Sequence, residues 1–205
     1  MKTAVRASLA VLALSLSLTG TVFGDQPADA YAAYRRNDYA TAVRLCRLPA
    51  ENGSEWCQMM LASAYYHGTR VPQDYAEAMK WYRKAAEQGS DDAQFDLGNA
   101  YEQGKGVPQD YAEAVQWYRK AAEQAHPTAQ NNLGRMYSDG KGVPQDYVQA
   151  HKWYNLAVAN ETDDTERETF VKNRDVLAAK MTPAQIAEAR KLAREWKPKV
   201  EGGVN

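Results

Sequence analysis

GKGVPQDYAEAVQWYRKAAEQ, running from Gly104 to Gln124, decides the reading of this chain, because it recurs. Val71 to Gln88 repeats its closing part, with Met79 and Lys80 standing where Val115 and Gln116 do. Gly140 to Tyr147 repeats GKGVPQDY without change. Tyr75, Tyr111 and Tyr147 follow one another at intervals of 36 residues, as do Trp81, Trp117 and Trp153. Self-similarity at a fixed period of this length marks stacked units, none of which can bury its apolar face alone. Such an array presents a long surface, which suits binding better than catalysis.

Each unit reads as two helices. The first carries Ala93, Leu97, Gly98 and Tyr101 on one helical face. Ala129, Leu133, Gly134 and Tyr137 repeat that face, and Cys57, Leu61, Ala62 and Tyr65 precede it. A glycine inside a helix costs roughly 1 kcal/mol against alanine, so Gly98 and Gly134 predict a close helix crossing. A turn follows, Gly104-Lys105-Gly106 and then Gly140-Lys141-Gly142. Arg70 stands in the first such turn where the others have glycine, so that turn is either strained or differently shaped. Asp74, Asp110 and Asp146 sit where an N-cap or first-turn carboxylate favours the second helix. That helix carries Ala78, Trp81, Tyr82, Ala85 and Ala86 as a single stripe. Identical slots filled identically in successive units are packing positions.

These residues carry a family resemblance. The pattern A-x-x-x-L-G-x-x-Y, then G-x-G-V-x-x-D, then A-x-x-W-Y-x-x-A-A resembles the Sel-one-like repeat, a relative of the tetratricopeptide repeat. The resemblance implies an all-α fold, a right-handed solenoid of antiparallel helix pairs, with three repeats over 55–162. It also implies a role as an interaction adaptor in the bacterial envelope or in host contact. Upstream, Asp38, Tyr39 and Ala42 lie one period before Asp74, Tyr75 and Ala78, so 25–54 reads as a shortened N-terminal capping pair. Downstream, 163–197 reads as a C-terminal capping pair. Phe170, Leu177 and Met181 keep a helical rhythm that Asn173 and Arg174 interrupt. Thr182-Pro183 starts a last helix and Pro198 stops it, leaving 198–205 as a flexible tail.

The first residues are read as a targeting segment. Lys2 and Arg6 precede a short apolar run, Ala7 to Leu18, and Val22-Phe23-Gly24 offers a cleavage point. The expectation is a signal peptide over 1–24 and a mature chain starting at Asp25, periplasmic or secreted. The run is short for a membrane span, so no stable span is expected after cleavage. Export bears on the two cysteines. Cys46 and Cys57 flank the Asn52-Gly53 turn, and in an oxidising compartment they are expected to form a disulfide. The net charge of −1 shows no basic field of the kind nucleic acid requires.

Chemistry is sparse. His67, His126 and His151 occupy three different repeat slots, and no metal-ligand spacing joins them. His151 takes the slot of Met79 and Val115, which predicts a core or boundary position. No cofactor is expected. Gly104-Lys105-Gly106 lacks the strand and the Gly-Lys-Ser/Thr ending of a phosphate loop. Some cysteine-rich relatives of the resembled family are associated with penicillin binding and β-lactam hydrolysis, and Ser138 precedes Lys141 at Ser-x-x-Lys spacing. Gly140 interrupts the turn of helix that such a pair needs, and no Ser-Asp-Asn or Lys-Thr-Gly follows. A hydrolase and a wall-glycan binding module stand as alternatives to the adaptor.

In related solenoids the first helix of each pair lines the concave surface. Slots that differ between units on that face are therefore the candidates for partner binding. They are Trp56, Met59 and Tyr66 in one unit, then Asp92, Phe95, Asn99 and Glu102, then Thr128, Asn131, Arg135 and Ser138. The expected site is a concave groove for a protein or peptide segment. Met59 and Phe95 anchor it, and Asn99, Asn131 and Arg135 tune it. Trp56 and Phe95 serve equally well as packing against the preceding unit.

Overall fold

The structure, a computed structural model, describes residues 27–199. The expected signal segment and its cleavage point fall on 1–24, outside the described residues. Ten helices follow in order among the described residues: α1 Ala28–Arg35, α2 Tyr39–Glu51, α3 Glu55–His67, α4 Tyr75–Glu87, α5 Asp91–Gln103, α6 Tyr111–Glu123, α7 Pro127–Asp139, α8 Tyr147–Asn160, α9 Asp164–Ala178 and α10 Pro183–Glu195. Successive helices pack on one another from α1 through α9, and α10 packs on α8. The result is the all-α repeat solenoid that the period implies.

Local chemistry sets the helix ends. The carboxylates of Asp74, Asp110 and Asp146 accept backbone N–H groups at the starts of α4, α6 and α8, at 2.9–3.1 Å. They are N-caps, which remove part of the unpaired donor set at a helix start. Gly68, Gly104 and Gly140 end the first helices in left-handed conformation, at φ 67–68°. Arg70 keeps the same turn at φ 64°, against 75° and 71° for Gly106 and Gly142. The first unit therefore holds the common turn shape with a side chain in the left-handed region, at a cost of about 1 kcal/mol.

Side-chain packing then fixes each pair. A Cβ placed on Gly98 would lie 2.5 Å from the Tyr118 ring, and one on Gly134 would lie 2.9 Å from Tyr154. The crossing expected at these glycines is made by the tyrosine of the second helix in the same unit. Leu61, Leu97 and Leu133 form the centre of successive layers and are fully buried.

A periodic polar ladder joins the units. Gln58, Gln94 and Gln130 are buried, and each donates to a carbonyl of the preceding helix, Ala50, Ala86 or Ala122, at 3.0–3.2 Å. Each also accepts from the end of the second helix of its own unit, from Gln88, Gln124 and Asn160 at 2.7–3.0 Å. Arg47, Arg83 and Arg119 donate to the hydroxyls of Tyr65, Tyr101 and Tyr137 at 2.7–3.0 Å. A buried amide left unpaired costs about 1–3 kcal/mol, so these bonds fix the register between units.

The two ends are closed differently. Cys46 in α2 and Cys57 in α3 form a disulfide, with Cα atoms 4.9 Å apart, across the Asn52-Gly53 turn. At the other end α9 and α10 both pack on α8. The polar break at Asn173 and Arg174 does not interrupt α9. Asn173 donates to Asn131 of α7 at 3.0 Å, and Arg174 pairs with Asp175. Thr182 and Gln185 form a reciprocal capping box at the start of α10. Trp196, just past α10, meets Trp153 edge to face. Pro198 and Lys199, which open the expected flexible tail, fall among the described residues. Lys199 donates its backbone N–H to the Glu123 carbonyl, and its Nζ lies 2.7 Å from the Glu123 carboxylate.

Candidate functional site

The first helices α3, α5 and α7 line a groove of about 550 Å³. Met59, Phe95 and Asn99 all line it, from two successive units. A second cavity of about 410 Å³ continues toward the N-terminal end and shares Met59 and Ser63 with the first. Its walls are mainly apolar and aromatic: Tyr34, Tyr39, Val43, Trp56 and Met60. Trp56 meets Tyr31 and Tyr34 edge to face, so it is both a packing residue and a wall of this cavity.

The floor of the main groove is polar. Asp96 lies beside the Tyr82 hydroxyl. Burial is the largest influence on Asp96 and, with Asp92 nearby, pushes its carboxyl up to about 6 despite the lowering influence of Tyr82. At the groove edge the His126 ring stacks on Phe95, with centroids 4.8 Å apart. His126 Nδ1 accepts the Ala129 N–H at 3.2 Å as the N-cap of α7, which places the ring proton on Nε2. Nε2 lies 3.3 Å from Asp92, and that bond holds the Asp92 carboxyl below its ordinary range.

Beyond the groove lies a closed network. Arg135 meets the Glu102 carboxylate at 2.7 Å. The Tyr118 hydroxyl lies 2.7 Å from Asn99 Oδ1 and 2.8 Å from the same Glu102 oxygen. Burial raises the Glu102 pKa, but the bonds from Arg135 and Tyr118 and the charge of Arg135 outweigh it and hold the carboxyl below its ordinary value. Asn131 is nearly buried, and its Oδ1 accepts from Asn173. The five expected binding residues thus separate. Met59, Phe95 and Asn99 share the groove, Arg135 is committed to Glu102, and Asn131 is turned to the C-terminal helix α9.

Comparisons with known proteins agree with this architecture. The Sel1 repeat model matches three times in tandem, over residues 57–90, 91–126 and 127–161, just over half the chain. The chain belongs to the Sel1 repeat family. Among solved structures it is similar to c5321, described as a protective antigen present in uropathogenic Escherichia coli strains displaying an SLR fold. The identity is 37%, the TM-score 0.68, and the match covers 76% of this chain but 32% of that one. It is also similar to a Sel1 repeat protein from Oxalobacter formigenes, at 28% identity and a TM-score of 0.64, over 82% of this chain and 74% of that one. No curated protein matches.

Sel1 repeats generally mediate protein–protein interaction and are typically non-catalytic scaffolds. In this Sel1 array Ser138 lies in the last turn of α7 while Lys141 lies beyond the Gly140 cap, where it pairs with Asp139 at 3.7 Å. His151 is buried, with Nδ1 2.8 Å from the Asn155 amide. Burial first, then Arg174 and Arg190, lowers its pKa, which keeps the ring neutral near pH 7. Among the described residues no group of His, Cys, Asp and Glu could hold a metal ion.

Sequence reasoning missed Asp96, Tyr82 and His126 as groove residues. The Asp96 slot is not periodic in chemistry, since Met60 and Asn132 stand one period either side of it, and Tyr82 repeats at Tyr118 and Tyr154, which reads as packing. The glutamine ladder was more accessible, since Gln58, Gln94 and Gln130 recur at the repeat interval.

Proposed function

We propose that this chain is an exported, non-catalytic scaffold of the bacterial envelope, periplasmic or secreted, whose concave face takes a protein or peptide segment. One observation carries the reading: Met59, Phe95 and Asn99, chosen as slots that vary between repeats, line one groove of about 550 Å³. That is the size of a pocket that grips side chains. Met59 and Phe95 supply the anchoring area. Asn99 supplies a polar contact at the edge. Arg135 acts one step back, by fixing Glu102 and with it Tyr118 and Asn99. The Cys46–Cys57 disulfide and the charged, then apolar start of the chain support export.

The test is affinity capture from envelope extract with the wild-type chain and a Met59→Ala/Phe95→Ala double variant, both shown to be folded by circular dichroism. Loss of a specific captured protein in the double variant is expected. Equal capture by both would move the binding face to the second helices or the end caps. Terminal sequencing of exported protein is expected to begin at Asp25, and retention of Met1 would sink the export assignment.

A further inference from the structure

The groove has a charge pattern that its apolar anchors do not explain. Two carboxylates, Asp92 and Asp96, face it, and no lysine or arginine is among the residues that line it. Glu102, one turn and a half along α5 from Asp96, has its cation in Arg135. Asp96 has no such partner: no lysine or arginine among the described residues forms an ion pair with it. Lys105 at the rim lies over the Tyr66 ring, 5.6 Å from its centroid. The walls beside Asp96 are the rings of Tyr66, Tyr82 and Phe95. A carboxylate recessed among aromatic faces suits a long cationic side chain, whose stem packs on the rings while its head reaches the acid.

We propose that the groove recognises an extended peptide segment carrying a lysine or arginine, seated between Asp92 and Asp96, with a neighbouring apolar residue in the Tyr34–Trp56 cavity. This rests on the scaffold reading above and specifies the chemistry of its partner. The shared wall at Met59 and Ser63 makes the two cavities one continuous track. A bound cation replaces the solvation that burial has taken from Asp96, so affinity is gained where the free protein is least well satisfied. The groups facing Asp96 are Asp92 on the same helix, Tyr66 and His67 from α3, Tyr82 from α4 and His126 at the start of α7. Because the free Asp96 carboxyl takes up a proton near pH 6, a cation must displace that proton below this pH. Affinity for the cationic segment therefore falls as the pH drops from 7.5 to 5.

Fluorescein-labelled, end-capped octapeptide pools test this on the purified chain by polarisation. Each pool fixes arginine or lysine at one position, and its control fixes citrulline or norleucine there. The charged pools are expected to bind about tenfold more tightly at one position at pH 7.5, the size of one well-placed charge contact. The preference should shrink at pH 5 and largely vanish in Asp96→Asn, a change of equal size shown to be folded by circular dichroism. Phe95→Ala should weaken charged and neutral pools together. Equal binding of charged and neutral pools, with Phe95→Ala still weakening both, overturns the cation assignment and leaves the groove as the partner site. A charge preference undiminished in an Asp92→Asn/Asp96→Asn double variant also overturns it. Binding by no pool overturns both the cation assignment and the groove.

Discussion

Asp96 and Glu102 lie on the same helix, about 120° apart around it, and are treated in opposite ways by the fold. Glu102 is met by Arg135 from the next unit and by Tyr118 from its own. Asp96 lies beside Tyr82, and no arginine among the described residues pairs with it. The two tyrosines occupy the same repeat slot, so the framework offers each acid the same kind of donor. The difference comes from residues that break the period. Arg135 stands where the preceding units carry Asn99 and Ser63. One end of the face is thereby closed by the chain's own cation, while the other keeps an acid in an open groove. Internal pairing rigidifies a surface, and a missing pair leaves free energy available to a ligand.

The sharpest way to break this contrast is to remove the tyrosine that serves Glu102. Gly98→Leu drives a side chain into the Tyr118 ring, which a Cβ alone already meets at 2.5 Å. The expected loss is about 3 kcal/mol, read as a lower urea midpoint. An unchanged midpoint would mean the crossing is looser than it stands here. Arg135→Ala leaves Glu102 without its cation. Arg135 is about a third exposed, so screening limits the loss to about 1 kcal/mol at pH 7. The Glu102 carboxyl is held below its ordinary value, so its contribution is present above the unfolded pKa and lost as the pH falls through the folded one. The gap between wild type and variant should accordingly narrow in melts below about pH 4.

Asp96→Asn should behave with the opposite sign. Burial raises the Asp96 carboxyl to about 6, so ionising it costs the folded state stability, a cost absent below the unfolded pKa and complete above pH 6. The variant is expected to be more stable than wild type at pH 7.5, by on the order of 1 kcal/mol after allowance for solvent, and equal to it near pH 4. A destabilised variant at pH 7.5 would make Asp96 a structural acid and close the contrast with Glu102. The smallest effect is expected at the C-terminal cap. Asn173→Ala removes the bond to Asn131 and should cost about 0.5–1 kcal/mol by thermal melting. Amide exchange in α9 should rise with it.

Much of this was legible in the residues. The period from Tyr75 to Tyr147 gave the number and length of the units, because a helix pair must present the same stripe to each neighbour. Asp110 as a cap and Gly104 as a left-handed turn followed from the conformations those residue types favour. Gly98 announced a close crossing, although which ring crosses it required the second helix to be placed. The site was read less fully. Met59, Phe95 and Asn99 were found by asking where the repeats differ. Asn131 was assigned to the same face by the same rule, and the rule could not foresee that α9 would lie against it.

The sequence by itself determined the unit, its two helices, their caps and the stacking of three copies, since these depend on local preference and on a pattern repeated at fixed distance. The pairing of Cys46 with Cys57 belongs with them, because a short turn joins adjacent antiparallel helices. Tertiary structure alone decided which acid is paired with a cation and which is not. Arg135 reaches Glu102 across 33 positions, and Asn173 reaches Asn131 across 42. His126 caps one helix while facing Asp92 of another. Each of these contacts joins residues that depart from the repeat, so no periodic signal marks them. Electrostatics within a groove depends on which side chains converge in space and how far water is excluded, and neither is a property of one stretch of chain.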